Sequence, residues 1–147
     1  MAKLNHMPAG YHSVTSFLAL ENAHKAIEFY SRAFGAKERM RMAGPDGKIA
    51  HAEVQIGDSI VMLTEAQHEP VTSASLYLYV PNVDTVVSQA ASAGAEVAMP
   101  PTDMFWGDRF GRVVDPFGVR WGIATHQEDV SPEEVVRRAA AQAPAPA

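Results

Sequence analysis

The sequence predicts an α+β protein built from two consecutive βαβββ modules, and three observations support this prediction. A helix pattern that opens on asparagine and closes on glycine occurs twice, over 22–35 and 82–94. Each helix pattern follows one β-like run and precedes three more. The opening asparagines are 60 residues apart and the closing glycines are 59 apart. Such a constant offset indicates an internal duplication.

The first module opens with a β-like run over 11–20. In the helix that follows, Asn22 is the predicted N-cap and Gly35 the predicted terminator, because both residue types favour those positions. Small and apolar residues recur between them at helical spacing, which gives the helix one buried face. Three more β-like runs complete the module, with turns between them: 36–42, 48–56 and 59–65.

The second module repeats this order, with Asn82 as its N-cap and Gly94 as its terminator. Its four β-like runs are 73–80, 95–101, 108–115 and 119–125.

After the second module, Ser131, Pro132 and Glu134 form the sequence pattern of a capping box, which predicts a short helix over 131–140. The last residues, 141–147, are rich in alanine and proline and are expected to be disordered.

One domain therefore contains four parts. They are an N-terminal arm (1–10), module one (11–68), module two (72–126) and a C-terminal helix with its tail (127–147).

Composition excludes several classes of function. Of 147 residues, 47% are hydrophobic and 20% are charged, which is ordinary for a globular protein. The net charge is −5 with no basic block, so we expect no nucleic acid partner. Cysteine is absent, which excludes disulfides and thiolate chemistry. No apolar stretch approaches the roughly 20 residues of a membrane helix, so we expect no membrane partner and a cytoplasmic location.

Alternating polarity in the run 48–56 identifies a sheet face that is open to solvent or ligand. Apolar residues occupy the even positions 50–56, whereas His51, Glu53 and Gln55 occupy the odd ones. Because an unpaired buried polar group costs about 1–3 kcal/mol, three such residues in a row predict that water or ligand reaches them. We call the face away from the helix the open face.

The same alternation assigns residues of the other strands. It places Thr15 and Phe17 on the open face of module one, and Tyr77 on that of module two. In the fourth run it places Val61 on the open face and Met62 toward the helix.

For the last two strands of module two the periodicity is ambiguous, so their faces are assigned by matching the modules. This match makes Arg112 equivalent to His51, and Gly122 equivalent to Val61. Arg112 is therefore expected on the open face.

The segment "FWGDRFG" contains more than a turn requires. Phe105 and Trp106 beside Gly107 suit an aromatic lid over a flat ligand, and Asp108 with Arg109 suits an ion pair that braces the loop. The alternative is that the two rings pack into the core or into a dimer interface.

Other residues of this region are expected to be structural. Asp115 in "DPFG" predicts a turn and Trp121 a core position, while His126 near the end of the module is expected to be solvated.

Two motifs, "AIEFYSRAFGAKE" (26–38) and "GRVVDPFGVRW" (111–121), resemble the vicinal oxygen chelate superfamily of glyoxalases, bleomycin resistance proteins and extradiol dioxygenases. The segments 44–65 and 99–118 are similar to its PhnB-like branch. The resemblance implies that two modules form a curved sheet cup, and that two chains commonly complete it. It leaves the reaction open, because this fold supports many functions.

The resemblance also implies where a catalytic metal would bind. The ligand positions of the metal-dependent members fall on Thr15, Ser75, Val61 and Gly122, and these residues do not supply the usual donors. We therefore expect no metal cofactor.

An alternative is a displaced site for a divalent metal such as zinc. It would be built on His51 and Glu53, joined by His12 or Glu65.

Two hypotheses about function follow. The first is a small-molecule-binding protein of the PhnB-like or bleomycin-resistance type, without the usual metal, that forms a two-fold homodimer around a small organic ligand. Its predicted ligand-binding residues are Thr15, Phe17, Gln55, Tyr77, Phe105, Trp106 and Arg112.

The second hypothesis is an enzyme, a glyoxalase-like isomerase or lyase or a dioxygenase-related protein. His51 would act as general base, oriented by Glu53, with or without a displaced metal.

Overall fold

The predicted order of elements occurs twice in the structure, a computed structural model that describes residues 4–67 and 70–142. Module one contains β1 (Ser16–Leu20), α1 (Ala23–Phe34), β2 (Lys37–Ala43), β3 (Ile49–Ile56) and β4 (Ser59–Glu65). Module two contains β5 (Ser75–Tyr79), α2 (Val83–Ala93), β6 (Glu96–Asp103), β7 (Asp108–Val114) and β8 (Arg120–His126). The helix α3 (Pro132–Gln142) follows. The predicted α+β fold of two βαβββ modules and a C-terminal helix is confirmed.

Each module forms one four-stranded sheet, ordered β1-β4-β3-β2 in sheet one and β5-β8-β7-β6 in sheet two. The first strand of each module pairs in parallel with the fourth, and the remaining pairs are antiparallel. Within the described part of the chain, no helix is both long enough and apolar enough to cross a membrane.

The N-terminus of α1 is capped by a residue that the sequence pattern did not identify. Asn22 was predicted to cap α1, but its side chain makes no capping hydrogen bond. The carboxylate of Glu65, at the end of β4, accepts hydrogen bonds from the backbone N–H groups of Asn22 (3.0 Å) and Ala23 (2.8 Å) instead. Glu65 is therefore occupied as a helix cap, and the expectation that it could join a metal site is wrong.

The other two helices begin as predicted. The Asn82 side chain accepts a hydrogen bond from the Thr85 N–H at 3.1 Å, and the Ser131 hydroxyl accepts one from the Glu134 N–H at 3.2 Å. The last helix extends to Gln142, so the expectation of disorder from residue 141 is wrong for its first two residues. Residues 1–3, 68 and 143–147 of the predicted parts lie outside the described residues.

The two modules meet through their helices, because α1 packs against α2. Aromatic side chains of α1 also pack on module two: Phe34 lies 4.7 Å and Tyr30 lies 5.5 Å from the Trp121 ring. Trp121 is 3% exposed, which confirms its predicted core position. The open faces carry exposed side chains on both sheets.

A buried carboxylate joins the modules at this interface. Asp115, which is 4% exposed, accepts hydrogen bonds from the Tyr30 hydroxyl at 2.7 Å and from the Trp121 indole N–H at 2.9 Å. It also accepts the backbone N–H groups of Phe117 (2.9 Å) and Val119 (3.0 Å), which forms the predicted turn. Burial, and then the charge of Asp115, raise the pKa of Tyr30, so its hydroxyl remains a donor.

The assignment of faces on β4 is wrong by one residue. Met62 lies opposite Glu53 in the β3–β4 ladder and is therefore on the open face. Val61 lies opposite Val54, and both are buried toward the helix. The alternation of exposed and apolar positions does not identify the open face of β4, because Ile60 lies on that face and is nevertheless buried near Gly10 of the N-terminal arm.

The capping arrangement predicts opposite effects for two substitutions. Glu65→Ala should lower the free energy of unfolding by about 1 kcal/mol, because it removes the acceptor for two helix N–H groups. Asn22→Gly should be neutral or stabilising by up to about 1 kcal/mol, because glycine adopts the observed φ of 59° without strain. Urea unfolding of both variants tests this. A destabilising Asn22→Gly with a neutral Glu65→Ala would show that Asn22 is the cap.

Candidate functional site

On the open face of sheet one, a row of side chains crosses the strands. Phe17 of β1 pairs with Met62 of β4, which lies opposite Glu53 of β3, and Glu53 lies opposite Met40 of β2. Phe17 is 46% exposed and Met40 is 41% exposed. This face therefore presents apolar side chains around one carboxylate.

Glu53 has two hydrogen-bonding partners. Its Oε2 lies 3.0 Å from His51 Nε2, and its Oε1 accepts a hydrogen bond from the Tyr11 hydroxyl. These bonds, the one from Tyr11 first, hold the pKa of Glu53 below its ordinary value. The His51 ring also stacks on Phe17, with ring centroids 5.8 Å apart. The carboxylate fixes the His51 ring, as a general base requires.

The N-terminal arm covers part of this face. A cavity of about 720 Å³ lies between residues 6–13 and sheet one, and it is also lined by Thr15, Glu53 and Met62. Gln55 does not line it: the Gln55 amide donates to the Gly57 carbonyl oxygen at 3.1 Å, near the end of β3. The structure thus brings Thr15 and Glu53 to one cavity and leaves Gln55 outside it.

The open face of sheet two is organised by Asp108, which is 2% exposed. Its Oδ2 accepts hydrogen bonds from the Tyr77 hydroxyl (2.7 Å), the Tyr79 hydroxyl (3.0 Å) and the Trp106 indole N–H (3.2 Å). Its Oδ1 lies 2.8 Å from His126 Nδ1. Four side chains from two strands and one loop therefore converge on one carboxylate.

The electrostatics of this cluster favour an ionised Asp108. Burial alone would raise its pKa, but the hydrogen bonds from His126 and from the three aromatic side chains together hold the pKa below its ordinary value. The pKa of His126 is raised by its hydrogen bonds to Asp108 and then to Asp129, whose Oδ1 lies 2.7 Å from Nε2. The expectation that His126 is merely solvated is wrong.

The predicted ion pair between Asp108 and Arg109 is also wrong. Adjacent residues of a strand point to opposite faces, so Asp108 lies on the open face and Arg109 on the other. Arg109 pairs with Asp84 of α2 at 2.8 Å and with Asp103 of β6 at 3.1 Å. The sequence alone does not reveal the Asp108 cluster, because the polarity of β7 does not alternate clearly. Counting back by two from Arg112 would have placed Phe110 and Asp108 beside Tyr77.

An aromatic platform, formed by Tyr77 and Phe110, lies next to this cluster. The two rings are stacked with their centroids 5.3 Å apart and an interplanar angle of 16°. They lie over Gly122, where a Cβ atom would stand 2.7 Å from the Phe110 ring and 3.2 Å from the Tyr77 ring. Only glycine leaves room for this stack. Arg112 lies beside it, with its guanidinium carbon 5.6 Å from the Phe110 centroid.

The loop that carries Phe105 and Trp106 is held in place. The Gly107 carbonyl accepts the N–H groups of Gln127 (2.9 Å) and Glu128 (3.0 Å), and a Cβ at Gly107 would overlap the Glu128 carbonyl oxygen. Arg138 of α3 donates to the Phe105 carbonyl at 3.0 Å. Trp106 therefore stands at the edge of the open face in a fixed position, beside Phe110 at 5.7 Å.

Strand registers change the match between the modules. Met62 and Gly122 both pair with the aromatic residue of the first strand, Phe17 and Tyr77 respectively. Gly122 is therefore equivalent to Met62 and not to Val61. By the same ladders Arg112 is equivalent to Glu53 and not to His51, because each lies opposite Gly122 or Met62. Arg112 nevertheless lies on the open face, as expected.

The residues at the implied metal positions do not fit a metal. Val61 faces the helix, and the aromatic platform covers Gly122. Thr15 and Ser75 supply only hydroxyl groups, which are poor ligands for zinc or iron. Among the residues that the structure describes, no group of three histidine, aspartate or glutamate side chains is placed to hold a metal ion.

Comparison with known proteins places the chain in a family. Residues 10–123 match the model of the Glyoxalase/Bleomycin resistance protein/Dioxygenase superfamily, and the chain belongs to this superfamily, as predicted. The Mycobacterium tuberculosis protein Rv0887c is 34% identical over 135 residues, which cover 84% of this chain and 79% of that protein.

Two solved structures share the fold. A PhnB protein from Bacillus cereus is 22% identical with a TM-score of 0.64, and the match covers 78% of this chain and 99% of the PhnB chain. TnmS3, an antibiotic binding protein from Streptomyces sp. CB03234, is 23% identical with a TM-score of 0.64 and covers 83% and 100% of the two chains. At these identities the likeness concerns the fold alone.

The Asp108–His126 pair predicts a pH-dependent stability. A lowered carboxyl pKa contributes stability above its ordinary value of 3.8, and a raised histidine pKa contributes it below 6.5. The loss of stability in His126→Gln should therefore be largest between these values and should shrink as the pH rises through the raised pKa of His126. Urea unfolding at pH 5 and pH 9 measures this.

Asp129→Asn is the matched control for His126→Gln. It keeps the bond to Asp108 and should reduce the pH dependence without removing it. An identical loss at both pH values in His126→Gln would contradict an ionic pair.

Proposed function

We propose that this protein binds a flat organic molecule on the open face of sheet two and uses no catalytic metal. The observation that carries the proposal is the aromatic platform over Gly122. At the position where metal-dependent members of the superfamily would carry a metal-binding residue, this chain has Gly122 beneath two stacked rings. A site arranged in this way offers a flat apolar surface in place of a coordination site.

Stacking explains why the ligand should be planar. Offset or edge-on aromatic pairs contribute about 0.5–1.5 kcal/mol beyond the area that they bury. The buried Phe110 ring supports Tyr77 from below and contacts Trp106 edge-on, which leaves Tyr77 as the ring that a ligand can stack on. Tyr77 is 46% exposed and Tyr79 is 60% exposed, which is unusual for side chains fixed by hydrogen bonds to a buried carboxylate. Rings that are both fixed and exposed are suited to bind a ligand without a large cost in entropy.

A homodimer would complete the site. The open faces of both sheets carry exposed apolar side chains: Phe17, Met40, Met42, Tyr77 and Tyr79. Exposed apolar surfaces of this kind mark interaction sites. In a two-fold dimer, the open face of sheet one in one protomer would meet that of sheet two in its partner, and two equivalent cups would form. Sedimentation should give twice the 15.9 kDa of the chain, and a concentration-independent monomer would contradict this assembly.

TnmS3 supports the proposal, because it is an antibiotic binding protein with the same fold. In this chain the support for binding comes from Tyr77, Trp106 and Phe110 themselves, because one fold carries many functions.

A second candidate function is acid–base catalysis, which the pair of His51 and Glu53 favours. The imidazole is held at 3.0 Å from the carboxylate, and the same carboxylate lines the cavity of about 720 Å³. A substrate in that cavity would contact Glu53, and His51 would act from behind this carboxylate with its tautomer fixed. Stoichiometric zinc, nickel or iron in protein purified without chelators would favour this candidate over metal-free binding.

A thermal-shift screen of planar bicyclic and tricyclic aromatic compounds tests the binding function. A compound at 100 times its Kd contributes about 2.7 kcal/mol and should raise the melting temperature by about 5 °C or more. The shift should persist after dialysis against EDTA. A shift that appears only after zinc is added would contradict a metal-free site.

Gly122→Ala supplies the matched control for this screen. Its methyl group would displace the Phe110 ring, so the ligand-induced shift should be lost even after the lower melting temperature of the free variant is subtracted. Gly44→Ala, in the turn between β2 and β3, should keep the shift. Equal shifts in both variants would show that the platform does not bind the compounds.

A further inference from the structure

Two arginines on the open face of sheet two have no partner among the described residues. Arg112 of β7 lies opposite Gly122, and Arg120 of β8 lies opposite Val114 and beside Ser75. Both side chains are exposed, and the described contacts include no hydrogen bond or ion pair to either guanidinium. Diagonal neighbours on one face of antiparallel strands lie about 7 Å apart, so the two charges share one region.

Four of the eight arginines form ion pairs, in contrast to these two. Arg109 binds Asp84 and Asp103, and Arg138 binds Glu128 and Glu134. Glu96 also lies on the open face, opposite Val114, but makes no described ion pair with either arginine. Two unpaired guanidinium groups beside an aromatic surface form a cationic region that an anion can fill.

The position of Arg112 connects this cationic region to the aromatic platform. Its guanidinium carbon lies 5.6 Å from the Phe110 centroid, within the range of a cation–π contact. That contact holds the positive charge at the edge of the platform. Phe110 is the buried ring of this stack and Tyr77 is its exposed ring. A planar molecule stacked on Tyr77 would therefore meet Arg112 at its rim, and Arg120 one diagonal step further.

The end of the platform near Asp108 offers hydrogen-bond acceptors instead of positive charge. The hydroxyl protons of Tyr77 and Tyr79 are directed to Asp108, so both oxygens act as acceptors. The Tyr77 oxygen accepts the Trp106 indole N–H at 3.3 Å, and Tyr79 is 60% exposed. Arg112 and Asp108 are four residues apart on β7, which corresponds to about 13 Å. A ligand of two or three fused rings spans most of that distance.

We infer that the ligand is a planar aromatic anion, with its carboxylate or similar group bound by Arg112 and Arg120 and a hydrogen-bond donor directed toward Tyr77 and Tyr79. This inference rests on the proposed binding function and adds the charge and the orientation of the ligand. Charge-assisted bonds from guanidinium to carboxylate are stronger than neutral ones, so the anionic group dominates the preference.

Two probes of the same shape test whether the site prefers an anion to a neutral molecule. 6-Hydroxy-2-naphthoate carries the anion and the donor, whereas 6-hydroxy-2-naphthamide is its neutral analogue. Titration calorimetry should give a Kd for the acid that is about tenfold lower than that for the amide. Because Arg112 and Arg120 are exposed to solvent, added salt should reduce the difference in Kd between the acid and the amide.

Variants then assign the preference to the two residues. Arg112→Gln and Arg120→Gln should each bring the acid-to-amide ratio close to one while the amide binds as before. Arg32→Gln is the matched control, because Arg32 of α1 is exposed, is not on the open face, and has no described ion pair or hydrogen bond. It should leave the ratio unchanged.

The outcomes separate this inference from the proposed function. Equal affinity for acid and amide, or a preference that survives both substitutions, overturns the charge assignment and leaves the binding function standing. Failure of every planar compound to bind, whatever its charge, overturns both. Dissociation of a dimer in Arg112→Gln without a change in the ratio would show that the arginine binds a second protomer, and it would overturn the inference.

Discussion

The structure depends on the carboxylate of Asp115. It accepts the Tyr30 hydroxyl from module one and the Trp121 indole N–H from module two, together with two backbone N–H groups of its own turn. A buried carboxylate without these donors would cost several kcal/mol, so the interface forms only when the helix and the turn meet in this arrangement. Asp115 therefore fixes the direction in which sheet two faces, and with it the position of the platform.

The second constraint is the way the modules associate. Because α1 packs on both α2 and Trp121, the helices occupy the space between the sheets and each open face is directed to solvent. Both faces carry one fixed carboxylate, Glu53 in sheet one and Asp108 in sheet two, surrounded by aromatic or thioether side chains. The two open faces are thus of related construction, as expected of a duplicated module whose two copies have diverged in chemistry.

Much of the fold was predictable from the sequence, because alternation and helix caps are local signals. Patterns within one module predict the order of elements, the Asn82 cap and the buried Trp121. The repetition of these patterns predicts the duplication. What failed depends on contacts between distant residues. Glu65 reaches the start of α1 from 42 and 43 residues away, and the residues around Asp108 come together only through the strand register.

The chain has two tryptophans, one beside Asp108 and one beside Asp115, so their signals test directly whether a planar ligand binds beside Asp108 without a metal. In a ¹H–¹⁵N spectrum the indole N–H of Trp106 reports on Asp108, and that of Trp121 reports on Asp115. On titration of EDTA-treated protein with 6-hydroxy-2-naphthoate, the Trp106 signal should move and saturate while the Trp121 signal stays. A saturating shift of the Trp121 signal alone, or a Trp106 shift that requires added zinc, would contradict metal-free binding beside Asp108.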